Sequence, residues 1–278
     1  MISYDIVYLR PDSVAEAVDA WQQASAEGLQ PAFLGGGTEL LTAARENRSR
    51  PGALIDLKRI DELGAIAQTD EALRCGSSVT LSRLCQQSGF RLLAQTAARV
   101  ADRTVRNSIT LGGNVCGMLP YREALLPFLV ADGTASIAGP DGTRSEPLSR
   151  VFNKRLRLQP GELLVSLAAP TSVVRAASFY RRRERDGRID YPLLTLCAVA
   201  ADNTLRIAVS GVFAYPLRSS EAESALQAAG GDSVTRAAAF VEALGEGVRG
   251  DMRAAADYRR ELLLQAVAES VSELEGSA

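Results

Sequence analysis

Apolar residues along the chain fall into two rhythms, and their alternation predicts an order of strands and helices. Residues 3–9 read as a short extended piece. Ser13 then stands where an N-cap belongs, and Val14–Ala26 show apolar positions at helical spacing, with Gly28 just beyond the end. Pro31–Leu34 is a short apolar strand that runs into three consecutive glycines. The pattern turns helical again over residues 38–45, and 53–57 predicts another strand. This is a βαβ-like rhythm.

A second α/β stretch follows. Residues 73–76 predict a strand, 80–87 a helix capped by Gly89, and 91–101 another amphipathic helix. Residues 135–138 and Gly142–Pro147 predict a hairpin around a Pro140-Asp141-Gly142 turn. The composition shifts near Pro170. Residues 178–185 form an Arg-rich strand, 193–201 and 205–212 a hairpin around Asp202-Asn203, and 219–275 an Ala-rich helical region broken at Gly230-Gly231 and again over 245–250. The boundary predicted from this shift lies at 170–175. It divides the chain into 1–172, itself two α/β subdomains of about 1–58 and 59–172, and a smaller unit over 173–278.

Composition narrows the chemistry. The 278 residues include 46% hydrophobic and 23% charged residues, ordinary values for a globular protein with a proper core. A net charge of −2 supplies no field that favours nucleic acid or an anionic membrane. No stretch has the basic flank and apolar run of a signal peptide or the length of a membrane span, so cytoplasmic residence is expected. The four cysteines are scattered, with none of the spacings of a zinc or iron–sulfur site, and reduced structural thiols are the expectation. The chain contains no histidine, which excludes a Ser-His-Asp triad, a Cys-His pair and an imidazole metal ligand. A protein whose chemistry resides in a bound cofactor loses nothing by that absence.

The strongest local signal is Phe33-Leu34-Gly35-Gly36-Gly37-Thr38-Glu39-Leu40, in which a strand runs into glycines and a helix opens at Thr38. Glycines allow close backbone approach to a ligand, and exposed amides at such a turn suit an anion, ideally a pyrophosphate. An ordinary strand-to-helix turn remains the alternative for this loop alone. The glycine order is not GxGxxG, so a Rossmann NAD site is not indicated. A second pair lies at Leu111-Gly112-Gly113-Asn114. Two such loops could grip opposite sides of one diphosphate, with Asn114 donating and accepting hydrogen bonds. Two unrelated turns remain the alternative.

Residues Leu34-Gly35-Gly36-Gly37-Thr38-Glu39-Leu40-Leu41 resemble the AGGTDLL loop of the FAD-binding medium subunits of molybdenum hydroxylases, the xanthine dehydrogenase family, with a likeness also to the carbon monoxide dehydrogenase flavoprotein subunit. Val105-Arg106-Asn107-Ser108-Ile109-Thr110-Leu111-Gly112-Gly113-Asn114 resembles the second signature, R-N-x-A-T-x-G-G-N. Pro160-Gly161-Glu162-Leu163-Leu164 is similar to the family's PGELL strand, and Gly211-Val212-Phe213-Ala214-Tyr215-Pro216-Leu217-Arg218 to its G-V-A-P-x-P-x-R segment. Tyr258-Arg259 followed by Leu262 fits the last helix, so the likeness spans essentially the whole chain.

The resemblance implies an α+β protein: a two-subdomain FAD-binding fold of the vanillyl-alcohol-oxidase type, followed by a smaller domain of antiparallel sheet and helices. It implies noncovalent FAD, with Leu34, Gly35, Gly36, Gly37, Thr38, Glu39 and Leu40 on the diphosphate. Thr110, Gly112, Gly113 and Asn114 would lie on the diphosphate and ribityl side. Glu123 stands where the family usually has an Asp for the adenosine ribose. The backbone of Leu163 and Leu164 would lie by the adenine, and Asp190 and Tyr191 near the isoalloxazine ring. The family's small polar run after G-G-N is replaced here by the bulkier Cys116-Gly117-Met118-Leu119-Pro120-Tyr121-Arg122. A lysine that some members place against the flavin has no counterpart in Pro192-Leu193-Leu194-Thr195.

The function so implied is electron transfer within a molybdenum hydroxylase. A large partner subunit would carry the molybdenum cofactor and a small one two [2Fe–2S] clusters, from which electrons pass through FAD to NAD or O2. A free-standing flavin oxidoreductase of the same fold and a flavin-free scaffold are the two rivals. Other features have plainer readings. The Arg181-Arg182-Arg183-Glu184-Arg185 run is expected at a solvated or subunit-facing edge. Trp21 is expected in packing, while Tyr121 and Tyr191 are candidates to stack on adenine or flavin.

Overall fold

The computed structural model describes residues 2–276 except 186 and 188. Its first layer is a three-stranded parallel sheet. Strand β1 (Val7–Leu9) leads through helix α1 (Val14–Ala26) to β2 (Pro31–Leu34), and a short helix α2 (Leu40–Arg45) leads to β3 (Ala53–Asp56). β3 lies between β1 and β2, in the order β1-β3-β2. Ser13 caps α1 by accepting from the Glu16 amide at 3.1 Å, as the sequence predicts. Trp21 packs on the small core of this layer, which includes Ile55, Leu57 and Leu163.

The second layer begins with β4 (Ile66–Gln68) and β5 (Ala72–Gly76), continues through helices α3 (Leu81–Gln87), α4 (Arg91–Ala98), α5 (Arg103–Arg106), α6 (Leu111–Cys116) and α7 (Leu126–Val130), and returns to a sheet with β6 (Thr134–Gly139) and β7 (Gly142–Pro147). Helix α8 (Leu148–Val151), a two-residue-stranded ribbon of β8 (Phe152–Asn153) and β9 (Arg155–Leu156), strand β10 (Leu163–Pro170) and α9 (Thr171–Val174) complete it. The sheet order is β4-β5-β10-β6-β7 and every pairing is antiparallel. β10, the last of these strands in sequence, is therefore the central one. Its residues Leu163 to Leu167 are buried, as a strand flanked on both sides requires.

The third layer is an antiparallel sheet of β11 (Ser178–Glu184), β12 (Pro192–Ala201), β13 (Thr204–Ser210) and β14 (Leu217–Arg218), covered by α10 (Ser220–Ala228), α11 (Ser233–Ala243) and α12 (Ala256–Glu275). The predicted hairpin turns at Asp202-Asn203, both at positive φ (50° and 56°), joining Ala201 opposite Thr204. β12 is buried on both faces. Leu194, Leu196 and Ala198 enter the core under the helices, while Cys197 and Val199 enter the core of the second layer. Burial pushes the Cys197 thiol up to about 12. The Arg-rich β11 is at a sheet edge as predicted, but only half of it is outward. Arg181 and Arg183 reach Glu269 of α12, whereas the Arg182 side chain is buried against the second layer.

Candidate functional site

The first glycine loop leaves the parallel sheet where Leu34 pairs with Asp56. Gly37 takes φ +73°, a conformation that side chains rarely adopt, and turns the chain into α2. Helix was predicted from Thr38. It starts instead at Leu40, because the left-handed residue interrupts the helical run and residues 38–39 form a turn ahead of it. The first amides to find backbone acceptors are those of Leu41, bonded to the Gly37 carbonyl at 2.9 Å, and residues beyond. The N–H groups of Gly36, Gly37, Thr38, Glu39 and Leu40 have no backbone acceptor among the described residues. Adjacent unpaired backbone donors of this kind suit an anion.

The second glycine pair is differently built. Thr110 is an N-cap whose hydroxyl accepts from the Gly113 amide at 3.1 Å, and Gly112 and Gly113 lie inside helix α6 rather than in an open loop. The amides of Leu111, Gly112 and Asn114 donate to Val79, Ser77 and Thr110 carbonyls at 2.8, 2.7 and 2.9 Å. This loop has few backbone donors left to offer. It is nevertheless brought against the first one. A Cβ added to Gly36 would stand 1.6 Å from the Ser108 carbonyl oxygen, and one on Gly35 would stand 2.7 Å from the Thr110 hydroxyl. Glu39 ties the two together from the other end, accepting from the Met118 amide at 2.8 Å. Asn114 uses its carbonyl oxygen on the Ala124 amide at 3.1 Å. Its side-chain NH2 has no protein acceptor among the described residues.

The sequence reading missed Tyr8, Asp56 and Lys58. Asp56, at the end of β3, is buried, and its carboxylate accepts from the Tyr8 hydroxyl, from the Lys58 amide at 3.0 Å and from the Lys58 ammonium at 2.6 Å. Burial alone would raise the Asp56 carboxyl, but the bonds from Lys58 and Tyr8 outweigh it and hold it below the usual carboxylate range. The same ammonium donates to the Gly35 carbonyl at 3.2 Å, so this cluster backs the first loop. An acid closing an apolar strand two residues before a lysine was the only sequence trace of it.

A run of unpaired backbone amides, a facing carboxamide and no histidine suit a dinucleotide, and the comparisons with known proteins agree. Residues 3–172 match the model of the FAD binding domain in molybdopterin dehydrogenase. The chain belongs to this family. It is 26% identical over 290 residues to the xanthine dehydrogenase FAD-binding subunit of Escherichia coli O157:H7, covering 98% of this chain and 96% of that one. It is 28% identical to the carbon monoxide dehydrogenase medium chain of Hydrogenophaga pseudoflava, with 96% of each covered. Among solved structures, carbon monoxide dehydrogenase from Hydrogenophaga pseudoflava superposes with a TM-score of 0.87 at 25% identity over 99% of both chains. Quinoline 2-oxidoreductase from Pseudomonas putida 86 shares the fold, with a TM-score of 0.86. The expected α+β class, an FAD-binding domain followed by a C-terminal domain, is the fold found.

The remaining predicted residues of this FAD-binding chain fall in three places. Leu163 and Leu164 are buried residues that open β10, opposite Ala138 and Ile137, and both lie beyond the last β5 pair at Ser166 and Gly76. Only their backbone could meet a ligand. Glu123, expected at a ribose, is buried, and its Oε1 accepts from Arg182 Nε at 2.8 Å and from the Thr195 hydroxyl at 2.6 Å. It joins the second and third layers, which corrects the solvated reading of Arg182. Asp190 accepts from the Tyr191 amide at 2.7 Å and pairs with Arg253. Although desolvation opposes it, the Arg253 bond holds the Asp190 carboxyl below its usual range. Tyr191 and Tyr121 stack on each other, with ring centroids 4.6 Å apart, and Arg253 and Arg249 cover their outer faces. Arg122, next to this stack, is buried at φ +34° with its Nη2 on the Lys154 carbonyl and its Nε unpaired. No group of metal-ligating side chains occurs among the described residues, and no described helix is long and apolar enough to cross a membrane.

Proposed function

We propose that the chain is the FAD-carrying electron-transfer subunit of a molybdenum hydroxylase, holding the FAD diphosphate on the amides of Gly36, Gly37, Thr38 and Glu39. The observation that carries this reading is that row of unpaired donors, set within a chain of an FAD-binding family. The Asn114 carboxamide completes the donor set, and FAD is held without a covalent bond. The adenosine end lies toward Leu163 and Leu164, and the ring toward Asp190 and Tyr191. Residues 1–172 form the FAD-binding domain and 173–278 the cover over the flavin. Bound there, FAD accepts single electrons and releases a pair, and the protein supplies position and electrostatics.

The source of the electrons is a small [2Fe–2S] subunit, fed by a large subunit that carries the molybdenum cofactor. Their destination is NAD or O2, and the assembly is cytoplasmic. Relatives named as subunits of xanthine and carbon monoxide dehydrogenases support this setting. The test is an absorption spectrum of the purified chain with heat release of the pigment, followed by affinity capture. A flavin band near ~450 nm released as FAD, with molybdenum and iron–sulfur subunits copurifying, is the expected result. A colourless chain that takes up no added FAD overturns the reading and leaves a scaffold. FAD without partners leaves a free-standing oxidoreductase.

A further inference from the structure

We propose that Lys58 is a positioning residue for the dinucleotide diphosphate, holding the Gly35 carbonyl inward and so turning the Gly36 N–H outward to the ligand. The inference rests on the reading of this loop as the diphosphate site. A trans peptide directs its N–H opposite to its C=O. With the Gly35 oxygen bonded to the Lys58 ammonium at 3.2 Å, the Gly36 N–H must face away from the Asp56 cluster. The Gly35-Gly36 peptide has no side chain on either flank to fix its orientation, and this is the hydrogen bond its carbonyl makes. A flipped peptide would turn the Gly36 N–H toward the side of the Asp56–Lys58 pair, where a carboxylate is a strong acceptor for an amide.

Lys58 removes that alternative twice, by occupying the carboxylate at 2.6 Å and by holding the carbonyl. Tyr8 binds the same carboxylate from the β1 side. Because the ammonium is paired with Asp56, its part at the site is orientation rather than net charge.

The experiment uses the full chain and titrates FAD, then ADP, into wild type, Lys58→Met, Lys58→Arg and Lys58→Gln. Lys58→Met should raise the Kd for FAD and for ADP by the same factor, roughly tenfold, the worth of one well-placed charge-assisted hydrogen bond. Lys58→Arg and the neutral donor Lys58→Gln should recover most of that loss. The slope of log Kd against log salt should be the same for Lys58→Met and Lys58→Gln, which carry the same charge. A Kd unchanged in Lys58→Met sinks the proposal while leaving the FAD reading intact. A Lys58→Gln as weak as Lys58→Met, with only Lys58→Arg restored, assigns Lys58 to charge attraction and sinks it as well. Should Lys58→Met not fold, the contrast between Lys58→Arg and Lys58→Gln still decides. A wild-type chain that binds neither FAD nor ADP brings down the reading and the inference together.

Discussion

The two glycine elements look alike in sequence and do opposite work. In the first, the consecutive amides of Gly36 to Leu40 have no backbone acceptor among the described residues, and the Gly35 carbonyl is held by Lys58, itself paired with Asp56. In the second, the amides are consumed by a helix cap and by the strand-to-helix crossing at Ser77 and Val79. Glycine is required in the first element for a left-handed turn at Gly37 and for contact at Gly36, where the Ser108 carbonyl leaves no room for a side chain. The second element is thus the wall on which the first is set. Two similar glycine motifs packed on each other need not present the same groups, since one can be conformationally demanding only because the other lies against it.

The sharpest way to break that contrast is Gly36→Ala. Its Cβ would collide with backbone, which cannot yield as a flexible side chain does, so the loops must part. Stability should fall by about 3 kcal/mol and FAD binding should be lost, read by thermal melting and flavin titration. An alanine variant that melts and binds like wild type would remove Ser108 as the reason for glycine.

Glu123→Gln comes next. It breaks a buried ion pair between layers but leaves Arg182 its other carboxylate, Glu184, so a loss of about 2 kcal/mol is expected in chemical denaturation. FAD affinity should hold if Glu123 belongs to the interface, whereas a weakened Kd at unchanged fold would return it to the ribose. Thr110→Ala removes the cap of the supporting helix and should cost about 1 kcal/mol of stability with little change in Kd, in contrast to any change that moves the first loop.

The smallest effect concerns pH. Asp56 is held below its ordinary value of 3.8, so its folded form binds fewer protons than its unfolded form. The stability it contributes is present above that ordinary value and is lost as pH falls through the lowered one. FAD affinity should therefore stay flat from about pH 5 to 8 and fall only below about pH 4. A titration in FAD affinity near neutrality would mean that another group backs the loop.

Much of the local structure was legible. Helix α1 and its cap, the two hairpins and the three helices of the last layer follow from apolar spacing and from turn residues such as Asp202 and Asn203, because those signals are local. The misreadings share a cause. Gly112 and Gly113 look like an open loop until Thr110 and Ser77 are seen to supply the acceptors that let a helix run through them. Arg182 looks solvated until Glu123, 59 residues earlier in the chain and itself held by Thr195, arrives at its guanidinium.

By itself the sequence determined the kind of chemistry and the place of its strongest motif. The lack of histidine removes most unaided catalysis, and three glycines between an apolar strand and a helix are the pattern from which an anion site is expected. Tertiary structure alone decided which of the two glycine pairs presents its amides, that β10 is the centre of the second sheet, and that Tyr8, Asp56 and Lys58 stand behind the loop. The reason is physical. Whether a given amide, carboxylate or arginine is free or already bonded depends on partners brought from distant parts of the chain, and local periodicity carries no record of them.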